Sequence, residues 1–93
     1  MRLDPPLVWE QQIMGKLLQK HKVTPEEVEE VFFDDWPHFK KHEEVYHAYG
    51  QTLPGRYLFV VFLSLDGGKA KPITAYEMTR KQRNYYQRVK GGN

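Results

Sequence analysis

Apolar residues recur at helical spacing near the start of the chain. Between residues 10 and 21 the apolar positions are Ile13, Met14, Leu17 and Leu18. This period of three to four residues predicts an amphipathic helix that ends near His21. The apolar residues 7–9 follow Asp-Pro-Pro at 4–6, which stiffens the chain there. Since proline restricts such a segment to the edge of a sheet, residues 7–9 could form a short edge strand.

The next segment carries the signals of a helix start. Thr24 is a favourable N-cap, Pro25 suits the first helical position, and Glu27 completes a capping box. Val23 and Val28 have the spacing of a hydrophobic staple. We therefore predict a second helix that begins at Pro25, has an acidic solvent face, and ends at residues 34–37, where a proline follows Asp-Asp-Trp.

The middle of the chain changes to a pattern typical of strands. Residues 45–52 alternate, and residues 56–65 (RYLFVVFLSL) are apolar on both faces, which indicates a central strand. Asp-Gly-Gly at 66–68 predicts a tight hairpin turn into a third strand at 71–76. The polar residues 37–44 are either a loop or the start of a further strand.

A capped helix closes the chain. Thr79 is a suitable N-cap and Gln82 has the reciprocal capping-box position, while residues 91–93 (Gly-Gly-Asn) form a frayed end. The order predicts an α+β fold with two N-terminal helices, an antiparallel sheet of three to four strands and a C-terminal helix. Helices cover one sheet face in a two-layer arrangement. The 93 residues fit a single domain, 1–93.

The charge is distributed unevenly along the chain. The net charge is +2, but residues 69–93 hold seven of the 14 lysines and arginines and only one of the 12 acidic residues. Within this part, residues 78–88 (MTRKQRNYYQR) interleave arginines with tyrosines. Arginines neutralise phosphates and tyrosines stack on bases, so this helix is typical of RNA or single-stranded nucleic-acid binding. A basic solvated helix without a ligand is the alternative interpretation.

Composition excludes several classes of site. The chain has no cysteine, which excludes disulfides and thiolate metal sites and is typical of a reducing compartment. No signal peptide and no apolar run long enough to span a bilayer are present. These features predict a soluble, cytoplasmic protein.

Several side chains are candidates for chemistry. His21 could act as a general acid or base at the end of its helix, or it could bond the last helical carbonyls. Arg56 could reach a phosphate from the start of the central strand, or pair with an acid. Glu44 or His47 could face a substrate, and Tyr76 ends the third strand directly before the basic helix.

A metal site is a weaker hypothesis. Its candidate ligands are His38, His42, His47, Glu43 and Glu44. His38 and His42 have i,i+4 spacing, but Pro37 argues against a helix there and no metal-binding motif surrounds them. We predict no metal and no cofactor.

The helical period divides the side chains of the basic helix. Arg80, Arg83 and Gln87 fall on one side, and Tyr86 and Val89 lie on a neighbouring stripe. Tyr86 is therefore either a core residue or a stacking platform for a base.

Three blocks together resemble a known family. KHKVTPEEVEEVF (20–32), GRYLFVVFLSL (55–65) and ITAYEMTRKQRNYYQR (73–88) resemble the BrnT-like toxins of bacterial type II toxin–antitoxin systems. The resemblance implies a fold similar to RelE ribonucleases and a metal-independent endoribonuclease activity. It also implies a small DNA-binding antitoxin that covers the basic surface in a hetero-oligomer.

The resemblance carries specific residues. The matched positions are Lys20, His21, Arg56, Thr79, Arg80, Arg83 and Tyr86. The predicted catalytic residues are His21, Glu44, Arg56, Tyr76, Arg80 and Arg83. The predicted RNA-binding residues are Lys20, Lys81, Tyr86 and Arg88.

Two positions depart from the family pattern. Tyr76 stands where the family usually has arginine, and Gln82 where it usually has glutamate. Losing a positive charge beside the phosphate can cost two or three orders of magnitude in rate. The predicted mechanism has His21 or Glu44 take the 2′-hydroxyl proton while Arg56, Arg80 and Arg83 stabilise the charge. The alternatives are a degenerate toxin fold that binds RNA or antitoxin without cleavage, and a solitary domain of another purpose.

Overall fold

The computed structural model describes residues 7–33 and 37–90. Its elements in chain order are α1 (Gln11–Lys16) continued by a π-helical turn (Leu17–His21), α2 (Pro25–Phe32), β1 (His38–His42), β2 (Val45–Gln51), β3 (Tyr57–Leu65), a short 3-10 turn (Asp66–Gly68), β4 (Lys69–Glu77) and α3 (Arg80–Lys90). The α+β class and the predicted order are confirmed. The polar segment that sequence left open is strand β1. The expectations for residues 4–6, 34–36 and 91–93 lie outside the described residues.

The first helix ends at His21 and α2 begins at Pro25, as predicted, while α2 ends at Phe32, before the stop expected at residues 34–37. Lys22 lies in the left-handed region (φ 56°) and ends the first helix. At the start of α2 the Thr24 N–H donates to Glu27 Oε1 at 3.0 Å, and the Glu27 N–H donates to Thr24 Oγ1 at 3.2 Å. The capping box is thus confirmed, and both valines of the staple are fully buried. Within the described part of the chain, no helix has the length and apolar character needed to cross a membrane.

The four strands form an antiparallel sheet in the order β1-β2-β3-β4. The predicted central strand β3 pairs on both sides, with β2 and β4. The N–H of Val8 donates to the carbonyl of Ala70 at 2.8 Å, and Leu7 forms an isolated parallel bridge with the same residue. The segment expected as an edge strand therefore contacts the outer side of β4 through this bridge.

The two faces of the sheet have different partners. On the first face, alternate β3 residues such as Leu58 and Val60 form a core with the buried side of α2, including Val31. On the second face, Phe59 packs with Tyr86 of α3. The helices therefore lie on both faces, with α3 opposite α1 and α2, because the β3 residues are apolar on both sides. The structure differs here from the sequence prediction, which placed the helices on one face of the sheet.

One close approach fixes the distance between α2 and the sheet. A Cβ atom added to Gly50 in β2 would lie 2.8 Å from Val31 Cγ1 and 3.3 Å from the Val31 carbonyl oxygen. Glycine at this position therefore allows α2 to lie directly on β2.

Candidate active site and nucleic-acid interface

A row of rings crosses the second face of the sheet. The strand register aligns one residue from each strand: His38, Tyr49, Phe59 and Tyr76. Successive ring centroids are 5.7, 5.1 and 5.2 Å apart. The row continues to His21, whose ring lies 5.7 Å from that of Tyr76. Two predicted catalytic residues that are distant in sequence therefore meet at the β4 end of this row.

The backbone around His21 is held by Arg56. The guanidinium Nη1 donates to the carbonyl of Lys22 at 2.8 Å, and Nη2 donates to the carbonyl of His21 at 3.4 Å. The last carbonyls of the helix are thus bonded by Arg56, which was one role considered for His21 itself. Half-buried His21 lies at the rim of the site, with its ring directed at Tyr76.

Arg56 takes the second of the two roles that sequence left open, because it pairs with acids. Its Nη1 donates to both carboxylate oxygens of Glu27 at 3.0 Å, and its Nε donates to Glu77 at 3.0 Å. Burial alone would raise the pKa of Glu27, but hydrogen bonds from the Thr24 backbone and Arg56, with the charge of Arg56, lower it. Two carboxylates therefore match the one positive charge, and a phosphate would meet repulsion beside them. In this structure Arg56 therefore links the backbone at His21 and Lys22 to the carboxylates of Glu27 and Glu77.

Tyr76 and Gln82, the two positions that the resemblance marks as departures, are hydrogen bonded to each other. Gln82 Nε2 donates to the Tyr76 hydroxyl at 3.3 Å. The amide is oriented by the helix cap, since its Oε1 accepts from the Thr79 N–H at 2.9 Å. The capping box at Thr79 is thereby confirmed. Because Tyr76 accepts from Gln82, its own hydroxyl hydrogen remains free to donate elsewhere.

The cations of α3 face two different sides. Lys81 and Arg88 line a cleft of about 410 Å³ together with Gln82. Arg80 and Arg83 line a separate cleft of about 430 Å³. Arg80, Arg83 and Gln87, which the helical period placed on one side of the helix, all line this second cleft, whereas Arg56 lines neither of the two clefts.

Arg83 has a stacking partner of its own. Its guanidinium lies 4.3 Å from the ring centroid of Tyr57. Among residues 7–33 and 37–90, no acidic side chain forms an ion pair with Arg83 or with the other three cations of the two clefts. Lys20 is exposed on the turn that carries His21. The two clefts on α3 thus present four cations that no acid of the described ranges neutralises.

Tyr86, which sequence left open as a core residue or a stacking platform, is a core residue. Tyr86 has an exposed fraction of 0% and packs against Tyr57, with centroids 6.0 Å apart, so the core alternative holds. Half-buried Tyr85 lines the cleft with Lys81 and Arg88 instead. The helical period could have indicated this grouping, because Lys81, Tyr85 and Arg88 have i, i+4 and i+7 spacing and therefore lie on one side of the helix.

Glu44 does not belong to this site. It lies in the turn between β1 and β2, two residues before Tyr46, which pairs with Phe62 of β3. Tyr76 pairs with Phe59. Glu44 thus lies level with Ser64, five residues along β3 from the Tyr76 row, which is roughly 17 Å at about 3.3 Å per residue. The role of base assigned to Glu44 is incompatible with this distance.

The remaining histidines form part of the second face. His47 stacks on His42 with centroids 5.5 Å apart and contacts the Phe59 ring edge at 4.9 Å. Burial, with the charges of His42 and Lys40, lowers the pKa of His47, so its neutral form is favoured. In the described ranges no three or more histidine and carboxylate side chains are grouped as metal ligands.

A protein-family model matches most of the chain. The model of the family described as "Ribonuclease toxin, BrnT, of type II toxin-antitoxin system" matches residues 9–82. The matched segment contains α1, α2, the whole sheet and the first turn of α3. No curated protein sequence matches the chain.

Proposed function

This chain belongs to the BrnT family of ribonuclease toxins of type II toxin–antitoxin systems, and from that premise we propose that it cleaves RNA without a metal ion. The nucleophile is the 2′-hydroxyl of the RNA itself. The observation that carries the proposal is the contact between the His21 and Tyr76 rings, where the Tyr76 hydroxyl accepts from Gln82 and keeps its hydrogen for a substrate. This pair supplies one proton acceptor and one proton donor at the edge of a basic surface.

Each side chain has one role in the proposed step. His21 takes the proton of the 2′-hydroxyl, and the oxygen forms a new bond to the adjacent phosphorus. The bond from phosphorus to the 5′-oxygen breaks, and Tyr76 gives its proton to that leaving oxygen. The adjacent His21 imidazolium then returns a proton to the Tyr76 phenolate, which balances the transfer. The product carries a 2′,3′-cyclic phosphate.

The cations act on the negative charge of the RNA. Lys81 and Arg88 share a cleft with Gln82, so we assign the phosphates nearest to Tyr76 to them. Arg80 and Arg83 then contact the backbone farther along, on the other side of α3. Arg56 holds the loop that carries His21 and does not touch the substrate.

The family implies an antitoxin protein as partner. We propose that this partner is a small DNA-binding protein that covers the α3 surface and thereby blocks access of RNA in the cytoplasm. Arg80, Lys81, Arg83 and Arg88, which form no ion pair with an acid of residues 7–33 or 37–90, support this assignment, because an acidic antitoxin segment would pair with them. The RelE-like arrangement of the fold is part of the same proposal.

The ion pairs of Arg56 favour a second function, which is binding without cleavage. Its charge is matched by Glu27 and Glu77, and position 76 carries no charge, so fewer cations are available to the reacting phosphate than the resemblance implied. A chain of this kind could hold RNA or an antitoxin without cleavage.

One experiment separates the two functions. Purified protein is incubated with end-labelled single-stranded RNA in EDTA, and the product ends are analysed for cyclic phosphate. Wild type is expected to cleave, whereas Tyr76→Phe and His21→Gln are expected to lose at least tenfold in rate. Tyr46→Phe, on the other face of the sheet, is the control and should cleave as wild type. Binding of RNA without cleavage by wild type would establish the second function instead.

A further inference from the structure

The cleft beside Tyr85 has no role in the proton transfers described above. It is lined by Tyr49, Lys81, Gln82, Asn84, Tyr85 and Arg88 and has a volume of about 410 Å³. Its wall on the sheet side is the ring of Tyr49, and its wall on the helix side is formed by side chains of α3. A cleft with an aromatic wall and a cationic rim is suited to a flat ring that carries a phosphate.

The Tyr85 ring is fixed in position before any ligand binds. Its hydroxyl and His38 Nε2 share a hydrogen bond of 3.0 Å. The ring also contacts His38 and Tyr49, with centroids 5.5 and 5.2 Å away. Because the side chain is already ordered by these contacts, stacking of a ligand on it costs little conformational entropy.

Positive charges surround the same ring. Lys40 Nζ lies 5.2 Å from the ring centroid, and Arg88 Cζ lies 6.0 Å from it. Together with Lys81, these side chains form no ion pair with an acid of residues 7–33 or 37–90. The cluster therefore complements an anionic ligand, and its arrangement around an aromatic platform matches a nucleotide of a nucleic-acid strand.

We propose that the Tyr85 cleft is a nucleobase subsite that stacks one unpaired base of single-stranded RNA, with the flanking phosphates on Lys81, Arg88 and Lys40. This inference rests on the proposed function only in taking RNA as the substrate. Gln82 lines the cleft and also bonds Tyr76, so the stacked base lies next to the phosphate that is cleaved. A base inside a duplex cannot enter the cleft, and the subsite thus selects single strands.

Binding to a non-cleavable ligand tests the subsite separately from catalysis. A fluorescent 2′-O-methyl RNA is measured by anisotropy as a single strand and as a duplex, against wild type and variants. The single strand should bind wild type more tightly than the duplex. Tyr85→Leu should weaken single-strand binding by roughly 5- to 150-fold, the effect of removing one stacking ring, and Tyr85→Phe should retain most of the affinity.

Matched variants keep the test independent of folding. Tyr46 also has a lysine near its ring, Lys41 at 6.0 Å, but it lies on the opposite face of the sheet, so Tyr46→Leu should bind the RNA as wild type does.

The salt dependence of binding tests the contact of Arg88 with a phosphate. Arg88 is exposed, and Arg88→Gln should reduce the slope of log affinity against log salt concentration by about 0.7. Equal binding by wild type and Tyr85→Leu, or an unchanged slope in Arg88→Gln, would overturn the subsite. Equal affinity for duplex and single strand would overturn the selection of single strands. Intact binding in a protein that does not cleave would refute the proposed function and leave the subsite standing.

Discussion

Replacing Arg56 by methionine tests whether this residue holds the site together. The substitution keeps most of the aliphatic stem but removes five hydrogen bonds to Glu27, Glu77 and the two helix carbonyls. Breaking a fully buried ion pair costs about 3–5 kcal/mol, and breaking an exposed pair costs about 0–1 kcal/mol. Since the Arg56 and Glu27 side chains are each 25% exposed, we expect a loss of about 2–3 kcal/mol.

The measurement is thermal and denaturant unfolding of the two proteins. For a domain of this size the loss corresponds to a fall in Tm of roughly 8–24 °C. Lys71→Met is the matched control, because its ion pair with Glu10 is longer (3.5 Å) and more exposed, and it should cost at most about 1 kcal/mol. The loop that carries His21 should also lose its fixed position, so RNA cleavage should fall in Arg56→Met even where the protein is folded.

The pH dependence of this difference gives an independent check. The pKa of Glu27 is below its ordinary value of 4.5 in the folded protein, so its contribution is present above pH 4.5 and is lost as the pH falls through the lower folded value. Arg56→Met removes part of this contribution. The stability difference between the two proteins should therefore be larger at pH 7 than at pH 3. A loss below 0.5 kcal/mol, or a difference that is the same at both pH values, would refute the reasoning on Arg56.

Three further predictions concern packing, protonation and the paired substitutions. In denaturant unfolding, Gly50→Ala should lower the free energy of unfolding by about 1–3 kcal/mol because the added methyl group meets α2. Gly15→Ala, with open space around it, should raise the free energy of unfolding by up to about 1 kcal/mol. Equal effects of the two substitutions would contradict the close approach of α2 to β2. Because the pKa of His47 is lowered, its stabilising contribution is complete above about pH 6.5 and declines as the pH falls. His47→Phe should therefore flatten the dependence of the free energy of unfolding on pH between pH 6.5 and 5. An unchanged dependence would contradict this role of His47. Tyr76→Arg combined with Gln82→Glu should cleave RNA at least tenfold faster than Tyr76→Arg alone, since the glutamate supplies the partner that orients the arginine; equal rates would show that the two positions act independently.

Local signals were sufficient for much of the fold. The capping boxes at Thr24 and Thr79 and the central strand β3 depend on residues within a few positions of each other, and their prediction was confirmed. Strand β1 was left open, because an edge strand with exposed lysines and histidines lacks the alternation that a half-buried strand shows. The opposite placement of α3 follows from tertiary packing on a sheet that is apolar on both faces.

Contacts within the site could be foreseen from the sequence only between residues that lie close together along the chain. Tyr76 and Gln82 are six positions apart and lie on either side of one cap, so their proximity was foreseeable. Arg56 and Glu27 are 29 positions apart, and nothing in the sequence indicates that Glu27 is the acid with which Arg56 pairs. The exchange of Tyr86 for Tyr85 corresponds to about 100° of rotation around the helix axis, which depends on how α3 docks.

The most direct test of the central claim is the dependence of cleavage on a single 2′-hydroxyl. The cleavage site of a short RNA is mapped first, and the same RNA is then synthesised with 2′-deoxyribose at the nucleotide 5′ to the cleaved phosphate. The account predicts that wild-type protein in EDTA cuts the all-ribose RNA to a 2′,3′-cyclic phosphate and leaves the substituted bond intact. Cleavage of the substituted bond at the same rate, or activity that EDTA abolishes, would contradict it.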